Sequence, residues 1–61
     1  MEEYLSSKEV SKYLKVSKPW PYVMAKRGIL PYHKMGKVIR FKRSDIEAFL
    51  AGSRVEKKDL N

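Results

Sequence analysis

The residues best equipped for chemistry are cations. Lys18, Lys26, Arg27, Lys34, Lys37, Arg40, Lys42 and Arg43 all fall between positions 18 and 43, and no Asp or Glu falls among them. Ammonium and guanidinium groups without acidic neighbours are donors in search of external acceptors. The acceptors that fit are phosphate oxygens and, for a side chain reaching a base edge, guanine O6 and N7. The 61-residue chain has a formal charge of +7. Residues 1–17 are balanced and residues 44–61 carry one excess acid, so the net charge resides in the middle segment. A mixed-sign block would read as an ordinary solvated face. An acid-free block reads as a surface for a polyanion, nucleic acid before anionic membrane.

Other chemistries are excluded by inventory. There is no Cys and a single histidine, His33, so neither a thiolate zinc site nor a Cys/His cluster can be assembled. No nucleophile–base pair is identifiable. The three glycines each end or turn an element, which leaves none for a phosphate-cradling loop. The expectation is a protein that is not an enzyme and takes no cofactor and no metal. Apolar runs such as Tyr22-Val23-Met24-Ala25 fall far short of the ~18 residues a membrane span requires. The opening Met1-Glu2-Glu3 is acidic where a secretory signal is basic. A cytoplasmic, nucleoid-associated protein is expected.

The elements that must hold these cations are readable from caps and periodicity. Ser6-Ser7-Lys8-Glu9 is a capping box, and Leu5 ahead of it suits a hydrophobic staple. Val10, Tyr13 and Leu14 follow at i, i+3 and i+4, predicting a helix over roughly 7–14 with these three inward. A turn at 15–17, with Val16 packed between helices, leads to a second helix capped by Ser17 or Lys18. The first turn of a helix tolerates Pro19 and Pro21, and Pro21 fits within it if Lys18 is the cap. The inward face of this helix is Pro21, Met24 and Ala25. The outward face is Lys18, Trp20, Tyr22, Val23, Lys26 and Arg27. Gly28 ends it and Pro31 prevents its resumption. Residues 32–35 and 38–41 flank Gly36-Lys37, a hairpin with a type II′ turn. Alternation is read as placing His33, Met35, Ile39 and Phe41 on the core face and Tyr32, Lys34, Val38 and Arg40 on the face left to solvent or ligand. A second capping box, Ser44 to Glu47, opens a last helix with Ile46, Phe49 and Leu50 inward, closed by Ala51-Gly52. The fold expected is mainly α with a small β-hairpin, a winged helix-turn-helix. It spans residues 1–52, and residues 53–61 form a flexible C-terminal tail.

With these elements in order, the sequence resembles the excisionase-type winged helix-turn-helix domains, relatives of the MerR-type DNA-binding domain. The likeness is carried by Leu5 to Val10, Leu14 to Ser17, Tyr22, Lys26-Arg27-Gly28, Leu30-Pro31, Lys34 to Lys37, Arg40-Phe41 and Arg43 to Leu50. It runs without gaps from about 5 to 50. The chain departs from the usual pattern at Pro19-Trp20-Pro21 and at Lys15, which stands where a turn glycine is common. The resemblance implies a double-stranded DNA-binding module with its second helix in the major groove and its wing on the backbone or minor groove. It implies an accessory factor that assists an integrase or recombinase and bends DNA, or a small transcriptional regulator of prophage, plasmid or mobile-element genes.

On this reading the DNA-binding residues are Lys18, Trp20, Tyr22, Val23, Lys26, Arg27, Lys34, Lys37 and Arg40. Lys18, Lys26 and Arg27 supply phosphate contacts and one base-edge contact. Lys34, Lys37 and Arg40 supply phosphate contacts from the wing. For Tyr22 the resemblance implies a phosphate or base contact, against a packed aromatic with its hydroxyl in water. Trp20 either anchors the helix to the core or faces the groove. His33, Met24 and Met35 are expected in the core. The RNA and membrane alternatives are disfavoured: Tyr32 alone lies on the outer hairpin face for base stacking, and no helix is long enough for a membrane surface. A protein–protein adaptor would need an exposed apolar patch, for which Trp20, Tyr32 and Val38 are the candidates. No coiled coil follows the domain, so a monomer in free solution is expected, with neighbouring copies meeting on DNA through residues 53–61.

Overall fold

The computed structural model describes residues 3–55. In chain order these form β1 (Tyr4–Leu5), α1 (Ser7–Leu14), α2 (Trp20–Lys26), β2 (His33–Met35), β3 (Val38–Lys42) and α3 (Arg43–Gly52). The tail expected at 53–61 lies outside the described residues from position 56 onward.

The core takes about one side chain from each segment. Leu5, Val10, Ala25, Leu30, Phe41 and Ile46 are buried, and Leu14, Trp20, Met24, Ile39 and Phe49 pack against them. α1 begins where the capping box places it. Glu9 N–H donates to Ser6 Oγ at 3.1 Å, and Ser6 N–H donates to Glu9 Oε1 at 2.8 Å. Reciprocal satisfaction of two orphan donors fixes the first turn. Tyr13, expected inward, is exposed instead. Ser11 takes the buried position beside Val10, its hydroxyl donating to the Lys8 carbonyl at 2.8 Å.

α1 stops at Lys15, which has φ 58° and ψ 47°. Val16 N–H reaches back to the Ser11 carbonyl at 2.9 Å, closing the left-handed cap. A residue with a Cβ is strained here, as the missing turn glycine implied. Lys15→Gly is expected to stabilise the protein by ~0.5–1 kcal/mol, because relief of that strain exceeds glycine's entropic cost. A thermal melt followed by circular dichroism should rise by a few degrees. A fall would refute the strain argument.

α2 starts later than the sequence suggested. Its N-cap is Pro19, not Lys18 or Ser17. Pro21 is therefore the second helical residue, where an absent N–H costs no intrahelical bond. At the other end Gly28, with φ 74°, closes a Schellman motif. Ile29 N–H bonds the Met24 carbonyl at 3.0 Å, and Gly28 N–H bonds the Ala25 carbonyl at 3.0 Å. The chain turned here delivers Leu30 into the core.

The sheet differs most from expectation. It has three antiparallel strands in the order β1-β3-β2, and β1, unforeseen, pairs Leu5 with Phe41 and Tyr4 with Lys42. In the hairpin His33 pairs with Arg40, Lys34 with Ile39 and Met35 with Val38. Paired residues share a face, and a two-residue turn pairs odd positions with even ones. The expected faces are therefore corrected. Phe41 and Ile39 do face inward, but on the side of Lys34. His33, Met35, Val38 and Arg40 share the opposite face with Tyr4 and Lys42. His33 is exposed rather than core, meeting Tyr4 edge-on with ring centroids 5.5 Å apart. Met35 is 50% exposed rather than a core filler. The turn itself is as expected: Gly36 has φ 67° and Lys37 has no positive φ, the pattern of type II′.

α3 follows β3 without a loop, and its N-cap is Lys42 rather than Ser44, so the second capping box does not set the helix start. The junction is held by Arg43. Its N–H donates to the Glu3 carbonyl at 2.8 Å. Its guanidinium pairs with Glu3 at 3.2 Å and Glu47 at 3.3 Å and lies over the Tyr13 ring at 5.1 Å. Ile46 is buried and Phe49 half-buried, while Leu50 is exposed, against its expected inward place.

Candidate nucleic-acid interface

Three turns of backbone logic build the surface. The Pro19 start and Gly28 stop confine α2 to seven residues. Buried Pro21 and Ala25 and half-buried Met24 hold one side of it to the core. The other side is thereby presented to solvent, and it carries Tyr22, Val23, Lys26 and, at the C-cap, Arg27, all exposed. Lys26 Nζ sits 5.7 Å from the centroid of the Tyr22 ring, an i, i+4 cation–π contact that orients both groups. Lys18 is exposed in the connection just ahead of the helix. Trp20 is not on this outward face. It is half-buried and packs edge-on against Phe49, centroids 6.1 Å apart; of its two alternatives, the structure takes packing.

The hairpin faces α2 across a cleft of about 340 Å³, lined by Tyr22, Ala25, Lys26, Tyr32, Lys34, Gly36, Lys37 and Ile39. Its apolar lining is Ala25 and Ile39, and its polar groups are three ammoniums and two phenols. No acid lines it. This grouping follows from the corrected register. Lys34 shares a face with Ile39 and so turns toward α2. Arg40, expected beside Lys34, lies on the other face, with Nη1 donating to the Ile39 carbonyl at 2.8 Å.

Tyr32 joins the site although it is not among the expected DNA-binding residues. It stays beside Lys34, as expected, but on the Ile39 side of the hairpin, where it lines the cleft. The signal that would have found it is the odd-to-even pairing across Gly36-Lys37. Arg43 moves the other way. Its proton is held more tightly than usual, chiefly by the hydrogen bond to Glu47 and then by the charge of Glu3, so it is a structural cation at the β3–α3 junction. Among the described residues no group of three or more His, Asp or Glu is placed to hold a metal ion. No helix among them is long and apolar enough to cross a membrane.

Two helices joined by a short connection, followed by a basic hairpin and a third helix, make a winged helix-turn-helix. The family model described as a helix-turn-helix domain matches residues 4–60, nearly the whole chain. The chain belongs to the helix-turn-helix domain family. This helix-turn-helix protein is accordingly a DNA-binding protein, with α1 and α2 as its helical pair and β2–β3 as its wing. No curated protein and no solved structure matches it.

Proposed function

We propose that this chain binds duplex DNA sequence-selectively as an excisionase-like accessory factor for an integrase-type recombinase. α2 lies in the major groove and the wing on the backbone or in the minor groove. One observation carries the reading: Lys26 from the solvent face of α2 and Lys34 and Lys37 from the wing line a common cleft, and among the described residues no acid does. A helix with one exposed polar face is the element the ~12 Å major groove admits. Val23 is at its centre, where a thymine methyl comes within reach. Lys18, Lys26, Arg27, Lys34, Lys37 and Arg40 supply phosphate contacts that fix register without reading sequence. Trp20 acts by anchoring α2 to α3.

Selection of bound duplexes from a random pool tests this reading. Wild type should enrich a short motif. Val23→Ala should change the enriched bases, since a mismatched base pair costs about 1–3 kcal/mol. Lys37→Ala should weaken binding while leaving the motif intact. A pool with no enrichment, or an unchanged motif with Val23→Ala, would overturn the assignment of α2 as the reading element. Parallel titration against RNA and anionic vesicles completes the test, and tighter binding to either would displace the DNA reading.

A further inference from the structure

We propose that the cleft between α2 and the wing is a seat for a single phosphodiester, shared by the two elements, with Tyr22 and Tyr32 as hydroxyl donors and Lys26 and Lys34 as cations. This deepens the reading above and rests on it. The groups come from two independent elements: Tyr22 and Lys26 from α2, Lys34 from β2 and Tyr32 from the residue just before it. Their convergence is set by the hairpin register, which turns Lys34 toward α2 through its pairing with Ile39. Both tyrosines keep substantial exposure, 50% and 42%, so their hydroxyls are available to a ligand.

The chemistry selects the ligand class. Two cations and two neutral donors, over an apolar Ala25 and Ile39 lining, suit an anion with several acceptor oxygens and little need for deep burial. A phosphodiester has two non-bridging oxygens, which share one negative charge, and two ester oxygens. Lys26 and Tyr22 both line the cleft, and their contact at 5.7 Å leaves the ammonium charged. A helix in the major groove and a wing beside it place one strand's backbone between them, where this cleft lies. Lys37, at the turn itself, is left for the neighbouring phosphate.

The seat makes a prediction that independent contacts do not. The salt slope of binding counts phosphates neutralised, at about 0.9 per phosphate, not lysines. Binding of a 20-base-pair duplex should be measured by fluorescence anisotropy from 50 to 200 mM salt. The variants are Lys26→Ala, Lys34→Ala, the double variant, Tyr22→Phe and Tyr32→Phe. The double variant should lose about 0.9 from the slope, and each single lysine variant less than half of that, because the remaining lysine still neutralises the shared phosphate. Tyr32→Phe, losing a neutral donor, should weaken binding about 3- to 10-fold with the slope unchanged, and Tyr22→Phe should behave alike. A double-variant loss near 1.8, the value for two separate phosphates, would overturn the seat, as would wild-type affinity in Tyr32→Phe. Either result leaves DNA binding standing. Wild-type affinity that is absent or independent of salt would instead overturn the DNA reading and the seat with it. All substituted side chains are exposed, and unchanged circular dichroism spectra confirm that the fold is retained.

Discussion

The Phe41→Ala variant is expected to lose most of the protein's stability, with its thermal midpoint lowered by at least ~15 °C or its cooperative transition gone. Phe41 is 0% exposed and sits on β3, the middle strand of the β1-β3-β2 sheet. It pairs with Leu5, and both α1 and α3 pack on its strand. Removing a buried phenyl ring costs about 3–5 kcal/mol. A domain of this size has roughly 0.05–0.15 kcal/mol of stability per residue, so the loss approaches the whole. Each kcal/mol corresponds to ~4–8 °C in a domain near this size. Val38→Ala, in the same strand but on the exposed face, should move the midpoint by only a few degrees. A Phe41→Ala midpoint within 5 °C of wild type, by circular dichroism, would show that the core is not centred on β3.

Where the sequence was legible, a local rule acted alone. The Ser6–Glu9 box and the Gly28 stop depend on side chains within a few positions of each other, and both formed as read. The inward face of α2 was legible through Pro21, Met24 and Ala25, because one helical period decides it, whereas Trp20, read on the outward face, is drawn onto Phe49 of α3, which the helix's own period does not show. Features set by the rest of the fold were not legible. β1 is two residues long and has no period to detect; it exists because β3 offers it an edge. Ser44 lost its capping role because β3 runs straight into α3, and the helix starts as soon as the strand ends. Tyr13 fits an inward spacing but serves as a platform for Arg43, whose partners Glu3 and Glu47 lie 40 and 4 residues away in sequence. The hairpin faces were legible in principle. The two-residue turn at Gly36-Lys37 inverts parity, pairing odd positions of β2 with even ones of β3 and even with odd. That single inversion exchanged Tyr32 and Lys34 with His33 and Met35 between the two faces and hid the cleft.

The corrected placement also changes how the charge should act. Eight cations occupy residues 18–43, but they are not equivalent. Arg43 is committed to Glu3 and Glu47. Lys42 and Arg40 lie on the sheet face away from α2, both half-buried. Lys18, Lys26, Arg27, Lys34 and Lys37 surround α2 and the cleft. With Lys26 and Lys34 sharing one phosphate and Arg40 reaching another from the wing, the surface addresses ~5 phosphates.

Affinity for duplex DNA is therefore expected to fall by ~500-fold between 50 and 200 mM salt. Five neutralised phosphates give a log–log slope of about −4.5, and a fourfold rise in salt multiplies that slope by a log factor of ~0.6. The driving force is release of counterions condensed on DNA, so it depends on how many phosphates are engaged and little on sequence. The distribution of charge then yields an ordering among variants. Lys37→Ala, removing a contact of its own, should reduce the slope by about 0.9. Arg43→Ala removes the same formal charge, yet its guanidinium is already engaged with Glu3 and Glu47. Its slope should remain within error of wild type, while its melting midpoint falls by a few degrees as the β3–α3 junction loses its clasp. Anisotropy titrations at four salt concentrations measure all three slopes. Equal slope losses for Lys37→Ala and Arg43→Ala would mean that net charge, rather than its placement around α2 and the cleft, governs binding.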